Sequence, residues 1–346
     1  MNYADYPRHV VEDIVRLRRR IGNPADPANP RSVFPPRRTD HNLVIGTWNL
    51  RRFGSVHPSW DENPGSPKRN LHGIAIIAEV VRRFDIIAIQ EVLRDTGALR
   101  TLLRDFLGSD WGVILSDVTA GTRGASERFA FIYDRRRVTP SGLAGEIVLP
   151  PRVGGRAVEQ FDRTPYIVGF QAGAERFSLL TAHIRYGDLP LARIDEIRNV
   201  AMYTALEIRD RARSDTSEET NLIVLGDFNI DRRQGNPLFD AFVETGLWVP
   251  EPLQHVATSY GREARHYDQI AWFRDDFHLR TEGLAGVVDF VDAVFPDLTR
   301  RQMTDRVSDH LPLWVEFITD RSDEAMARTL GADPNMPDPF RGVPDL

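Results

Sequence analysis

Apolar positions follow two different periods along the chain. Residues 8–21 (RHVVEDIVRLRRRI) place Val10, Val11, Ile14, Leu17 and Ile21 at helical spacing, ahead of a proline-rich linker over 22–38. From residue 42 short apolar runs take over: NLVIGTWNL reads as a strand, 72–84 as an amphipathic helix, DIIAIQEV as a strand and 97–107 as a helix. Strand patterns follow at 111–116, 128–134, 145–149, 165–170 and 176–183, with little helix between them. A helical stretch over 190–213 precedes NLIVLGDFN, and YDQIAWF and LPLWVEF supply the last strands.

The middle strands have no crossover helices, which excludes a purely parallel sheet and favours two packed sheets flanked by helices. The expected organisation is a helix and Pro-rich extension over 1–40, a mixed α/β (α+β) domain over 41–319 and an Asp- and Pro-rich tail over 320–346. The tail is expected on the surface or partly disordered.

Six of the apolar runs carry polar residues at or near their ends. VIGTWNL delivers Asn49, IIAIQEV delivers Glu91, FSLLTAH delivers His183, IVLGDFN delivers Asp227 and Asn229, HYDQIAWF contains Asp268, and SDH places Asp309 and His310 before a strand. One such residue is an ordinary turn former or helix cap, but six strand ends carrying acids, amides and imidazoles call for a shared explanation. There is no cysteine, which removes disulfides, thiolate nucleophiles and Cys-based zinc from consideration. Carboxylates and amide oxygens form a hard donor set suited to Mg²⁺, Mn²⁺ or Ca²⁺. Two histidines have candidate carboxylate partners, His310 with Asp268 and His183 with Glu127 of SERFAFIYD. Such pairs fix a tautomer and stabilise an imidazolium, and a hard metal beside paired acid/base groups suits a phosphoester.

The ordered set TWN, QE, TAH, GDFN, YDQI and SDH over residues 43–318 resembles the endonuclease/exonuclease/phosphatase superfamily, and its His-bearing pancreatic deoxyribonuclease branch in particular. The resemblance implies a four-layered α/β sandwich and a divalent metal, Mg²⁺ before Mn²⁺ or Ca²⁺. It implies Glu91 as principal metal ligand with Asn49 and Asp309, and Asp227 orienting the attacking water, with Asn229 holding that water or the phosphate. It further implies two dyads on the scissile phosphate, Asp268 with His310 and Glu127 with His183. Arg94 stands one residue from the branch's phosphate-contacting arginine, and Ala125 replaces a tyrosine of the branch.

Net charge is −6, which argues against a protein that coats nucleic acid, and Lys68 is the only lysine among 44 basic residues. Arginines nevertheless flank the site segments, including Arg51, Arg52, Arg94, Arg123, Arg128, Arg185, Arg232, Arg233, Arg265 and Arg306. Guanidinium groups suit a polyanion held by its backbone, and Arg51, Arg94 and Arg185 are the expected substrate contacts. The reading is a metal-dependent endonuclease on DNA rather than RNA. A phosphodiesterase or phosphatase on a lipid headgroup or small phosphoester is the alternative, and an inactive binding module a third. Residues 1–20 hold no apolar stretch of signal-peptide length and no later run reaches a membrane span, so a soluble, cytoplasmic protein is expected.

Overall fold

The computed structural model describes residues 3–22, 35, 36, 38–61, 63–119, 126–153, 156–158, 160–187, 190–206, 208–210, 221–261, 263–281, 283–334, 336, 340, 341 and 343. Arg123, Ala125, most of the 22–38 linker and the stretch 211–220 lie outside them.

The strands in chain order are β1 (Asn42–Phe53), β2 (Ile86–Leu93), β3 (Trp111–Leu115), β4 (Glu127–Asp134), β5 (Thr139–Glu146), β6 (Arg152–Val153) and β7 (Arg156–Ala157). They continue as β8 (Tyr166–Ala172), β9 (Glu175–His183), β10 (Leu222–Asp227), β11 (Leu247–Trp248), β12 (Asp268–Phe273), β13 (Ala285–Val287) and β14 (Leu313–Ile318). Two six-stranded sheets result, ordered β13-β14-β1-β2-β4-β3 and β11-β12-β10-β9-β8-β5, with β6 and β7 forming a separate short ladder. Each large sheet holds one parallel pair at its centre, β1 with β2 and β9 with β10, and its other ladders are antiparallel. The expected two-sheet α/β sandwich is therefore the fold.

Apolar side chains between the sheets make the core. Phe131 on β4 meets Phe170 on β8 with centroids 5.7 Å apart, and Trp272 on β12 meets Phe317 on β14 at 5.4 Å. Such edge-on pairs add about 0.5–1.5 kcal/mol each to the burial of their area. One polar tie crosses this apolar interface. Gln90 on β2 donates to Thr47 Oγ1 on β1 and to Thr181 Oγ1 on β9, both at 3.0 Å, and all three residues are buried. Satisfied on both sides, it sets the two sheets in one register below the strand ends.

The first helix, α1 (Arg8–Ile21), buries Val10, Ile14, Leu17 and Ile21 as its spacing predicts, and also Asp13. It packs on α2 (Leu71–Val81): Asp13 lies 3.0 Å from His72 Nε2, and Arg18 pairs with Glu79 at 2.7 Å. Asp13 also accepts the Phe295 N–H at 2.8 Å. The helix of the expected extension is thus built into the sandwich. Asn70, with extended backbone, caps α2 by accepting the Gly73 N–H at 3.1 Å.

Elsewhere the boundaries moved. The predicted helix 97–107 is α-helical only over Gly97–Thr101 and continues as a π-helix over Leu102–Leu107. The helix after β9 likewise passes from Pro190–Arg198 into a π segment, Asn199–Leu206. The strand predicted at 145–149 forms earlier, as the exposed edge strand β5. In the tail, Ser322–Thr329 is a surface helix anchored by the buried Ala327 and by an ion pair between Arg280 and Glu324. No helix among the described residues is long and apolar enough to cross a membrane.

Candidate active site

The C-terminal ends of the two central parallel pairs carry the expected residues. β1 and β2 bring Asn49 and Glu91 to one sheet's end, and β9 and β10 bring His183 and Asp227, direct register partners, to the other's. Asp227 also faces Asp268 across the antiparallel β10–β12 ladder. Gly226 is what allows this crowding: at φ +137 it runs so close to Ala182 that any Cβ would collide with the Ala182 carbonyl.

The backbone leaves regular geometry where the functional groups emerge. The β1–β2 ladder shifts register between Asn49 and Phe53, and the β2–β4 ladder between Ile89 and Val92. Arg51, Arg52, Glu91 and Asn229 all have positive φ, at 32°, 49°, 59° and 50°. Left-handed residues other than glycine persist only where their surroundings hold them, and such strain gathers at functional sites. Arg69 is one of the holders. Its buried guanidinium donates to the carbonyls of Leu50, Arg51, Arg52 and Val307 at 2.8–3.0 Å, stitching the end of β1 to the segment before His310. Burial pushes its pKa down to about 10, so it keeps its charge at neutral pH.

Asp227 is the hub. Its Oδ2 accepts the Asn49 amide at 2.9 Å and lies 3.6 Å from His183 Nε2 and 3.8 Å from His310 Nε2, while its Oδ1 accepts the Asn229 N–H at 2.9 Å. Each imidazole is backed by a carboxylate: His183 Nδ1 is 3.0 Å from Glu127 Oε2, and His310 Nδ1 is 2.8 Å from Asp268 Oδ2. The chain thus brings together two carboxylate–imidazole dyads that share one carboxylate between their outer nitrogens.

Opposing forces set the charge states. Burial raises the Asp227 pKa, but the His310 and His183 charges, the Asn49 amide and the Asn229 N–H outweigh it and hold the carboxyl below its ordinary range. For His310, burial is overcome by the charges of Asp268 and Asp227, and the imidazolium is raised to about 10. Burial raises Asp268, with the nearby Asp227 charge adding to it. Burial and the Arg163 charge push His183 down, yet the Glu127 hydrogen bond and the Asp227 and Glu127 charges raise it overall. Glu127 is lowered: its burial is outweighed by His183 and Arg163.

A raised folded pKa has a defined signature. The His183 contribution to stability is complete below its unfolded value of 6.5 and is lost as pH rises through the folded value. In EDTA, the unfolding free energy of the protein minus that of His183→Gln is therefore expected to be largest below the unfolded value of 6.5 and to shrink as pH rises above it. A gap that widens with pH would contradict this assignment.

Several neighbours carried no signal in the sequence. Arg163, in the turn before β8, donates to Glu127 Oε2 at 2.6 Å and to Oε1 at 3.3 Å. Ser308 donates to the Asn49 carbonyl at 2.5 Å and accepts the His310 N–H at 3.1 Å. Thr258 Oγ1 accepts the Asp268 N–H at 3.0 Å. Of the three, Ser308 alone belongs to one of the strand-end motifs, SDH.

The flanking arginines divide. Arg233 is buried and holds Gln269, the Val256 carbonyl and the Asp268 carbonyl, while Arg306 donates to the Lys68 carbonyl, so both are internal braces. Arg185 lies against Glu196 at 3.1 Å and Asp162 at 3.5 Å, which neutralise the charge expected to meet a substrate. Arg51 lies 3.4 Å from Asp309, and Arg94 is exposed. Asn229 donates one amide N–H to the Ile184 carbonyl at 2.7 Å, and its backbone N–H orients Asp227.

Two sets of hard donors are candidates for a cation. Glu91 accepts the Asn49 amide on Oε1 and the Arg52 N–H on Oε2, both at 2.8–2.9 Å, and with Asp309 it lies within electrostatic range of Arg69. Asn49 adds a carbonyl oxygen, which also accepts the Arg51 N–H at 2.8 Å. These oxygens fit Mg²⁺, Mn²⁺ or Ca²⁺. Among the described residues, Asp227, Asp268 and His310 also place one ligand atom each within 4.8 Å of one another. His310 Nδ1 and Asp268 Oδ2 are engaged with each other there, so the first set is the better cradle.

Comparison with known proteins gives the family of the chain. Residues 46–315 match the model of the Endonuclease/Exonuclease/phosphatase family. A protein named deoxyribonuclease from Thioalkalivibrio sp. (strain K90mix) is 29% identical over 291 residues, covering 80% of this chain and 71% of its own. Deoxyribonuclease gamma of Rattus norvegicus is 26% identical over 197 residues, covering 54% of this chain and 56% of its own. Among solved structures, a mannosyl-6-phosphatase from Bacteroides thetaiotaomicron VPI-5482 superposes with a TM-score of 0.51 at 20% identity, over 80% of this chain and 100% of its own, which speaks for the fold alone. With the match running from β1 to β14 and taking in both parallel strand pairs, the chain belongs to the endonuclease/exonuclease/phosphatase family of phosphoester hydrolases.

Proposed function

We propose that the chain is a divalent-metal-dependent nuclease that hydrolyses phosphodiester bonds of DNA by in-line attack of water. The observation that carries this is the placement of the single Asp227 carboxylate between two imidazoles, each backed by its own buried carboxylate. The two deoxyribonuclease relatives support the choice of substrate.

Asp227, ionised and fixed by Asn49 and Asn229, accepts a hydrogen bond from the attacking water and aligns it with the phosphorus. Its lowered basicity makes orientation and polarisation its main contribution. The imidazolium faces of His183 and His310 donate to phosphate oxygens as charge builds on them, and either is placed to pass a proton to the leaving oxygen. Glu127, braced by Arg163, and Asp268 keep those imidazoles charged and correctly turned. Glu91, Asp309 and Asn49 would hold the cation, Mg²⁺ in this reading, which when bound supplies charge neutralisation at the phosphate.

Supercoiled plasmid incubated with the protein and Mg²⁺ is expected to be nicked and relaxed, and EDTA is expected to abolish nicking. An intact plasmid alongside hydrolysis of a small aryl phosphodiester would retain the site and sink the nucleic-acid reading.

A further inference from the structure

A cavity of 330 Å³ opens beside the Glu91 end of the site, lined by Arg51, Arg52, Ser55, Lys68, Arg69 and Asp305 with Pro67, Leu93 and Thr304. Among the described residues, four cations line it with one carboxylate. In a chain of net charge −6 whose basic residues include a single lysine, Lys68 is spent on this wall. Arg69 forms the floor: its partners are four neutral carbonyls, so its charge has no carboxylate hydrogen-bonded to it, and its Nε is buried without a partner. Lys68 donates to the Pro64 carbonyl at 3.2 Å, a neutral partner, and among the described residues it forms no ion pair. The Ser55 and Thr304 hydroxyls already donate to Asp95 at 2.7 Å and to the Arg300 carbonyl at 3.0 Å, so the cations carry the anion affinity of the wall, and Leu93 and Pro67 give an apolar side for a sugar.

The position of this cavity relative to the proposed cleavage point is fixed by the backbone. Arg52, on its wall, donates its N–H to Glu91 Oε2 at 2.8 Å, and Arg51 lies 3.4 Å from Asp309. A phosphodiester strand lying across Glu91 and Asp309 therefore passes directly beside the cavity.

We propose that this cavity is a subsite for a non-scissile phosphate of the nucleic-acid strand, with Lys68 and Arg52 contacting the phosphate oxygens and Arg69 supplying a fixed positive floor. The proposal rests on the nuclease reading and deepens it. It makes strand length a determinant of affinity, because a substrate with one phosphate cannot fill the subsite and the cleavage site together.

The test is binding of a fluorescent oligonucleotide to the full-length protein in EDTA, where no cleavage intervenes, at several salt concentrations. Lys68→Gln is expected to weaken binding about fivefold and to reduce the slope of log affinity against log salt by about one. Lys68→Arg is expected to restore both, and Asp305→Asn to tighten binding a few-fold by removing the only carboxylate on the wall among the described residues. Opposite signs for Lys68→Gln and Asp305→Asn separate a phosphate subsite from a loss of folding. If wild-type protein binds and cleaves DNA while Lys68→Gln and Asp305→Asn leave affinity and slope unchanged, the subsite is refuted and the nuclease reading stands. If wild-type protein hydrolyses an aryl phosphodiester but binds no oligonucleotide, the nucleic-acid reading itself is refuted.

Discussion

Asp227→Asn is expected to lower kcat for phosphodiester cleavage by about a thousandfold while changing KM less than about threefold, the pattern of a group whose interaction is realised in the transition state. The amide is nearly the same size but cannot replace the carboxylate. Both Asp227 oxygens accept, one from the Asn49 amide and one from the Asn229 N–H, so an amide NH₂ must oppose a donor whichever way it turns. The charge facing His183 and His310 disappears as well, and with it part of what keeps them protonated. Single-turnover nicking at saturating DNA, with circular dichroism to confirm folding, reads the effect. Activity within tenfold of wild type would remove Asp227 from the centre of the proposed chemistry.

Arg69→Met should cost about 3–5 kcal/mol of folding stability, a large share of what a domain of this kind has to spare. Burial of the methionine side chain recovers apolar contact, but it leaves the Leu50, Arg51, Arg52 and Val307 carbonyls without their donor. Each acceptor stranded away from water costs about 1–3 kcal/mol, reduced where local rearrangement admits solvent. Urea unfolding is expected to show a lower midpoint with an unchanged slope. A midpoint equal to wild type would mean that the end of β1 holds its left-handed turn unaided.

The strand ends were legible for a simple reason. A buried strand must be apolar along its length, so polar residues at its end stand out, and Asn49, Glu91, His183, Asp227 and Asp268 could be read that way. The pairing of His183 with Glu127 and of His310 with Asp268 followed from charge complementarity and from the resemblance, and both pairs are in contact. What stayed hidden depends on where a side chain turns. Arg69, Arg185 and Arg233 look alike in sequence to Arg51 and Arg94, yet the first three are held inside by carbonyls or carboxylates. Arg163 sits in an irregular turn with no periodicity to mark it. The π segments share the apolar spacing of α-helices closely enough that composition cannot separate them.

The left-handed turns at Arg51, Arg52, Glu91 and Asn229 also bear on any attempt to move this chemistry elsewhere. Grafting the acids, amides and imidazoles onto a regular sandwich would project them along the pleat, where successive residues face opposite sides. Here the ladder first slips register and the chain then reverses its hand, so that Asn49 and Glu91 meet over Asp227 from a neighbouring sheet. The transferable unit is therefore the bulged backbone with its arginine anchor, and valine, isoleucine or threonine at those four positions would be rejected on conformation before chemistry is tested.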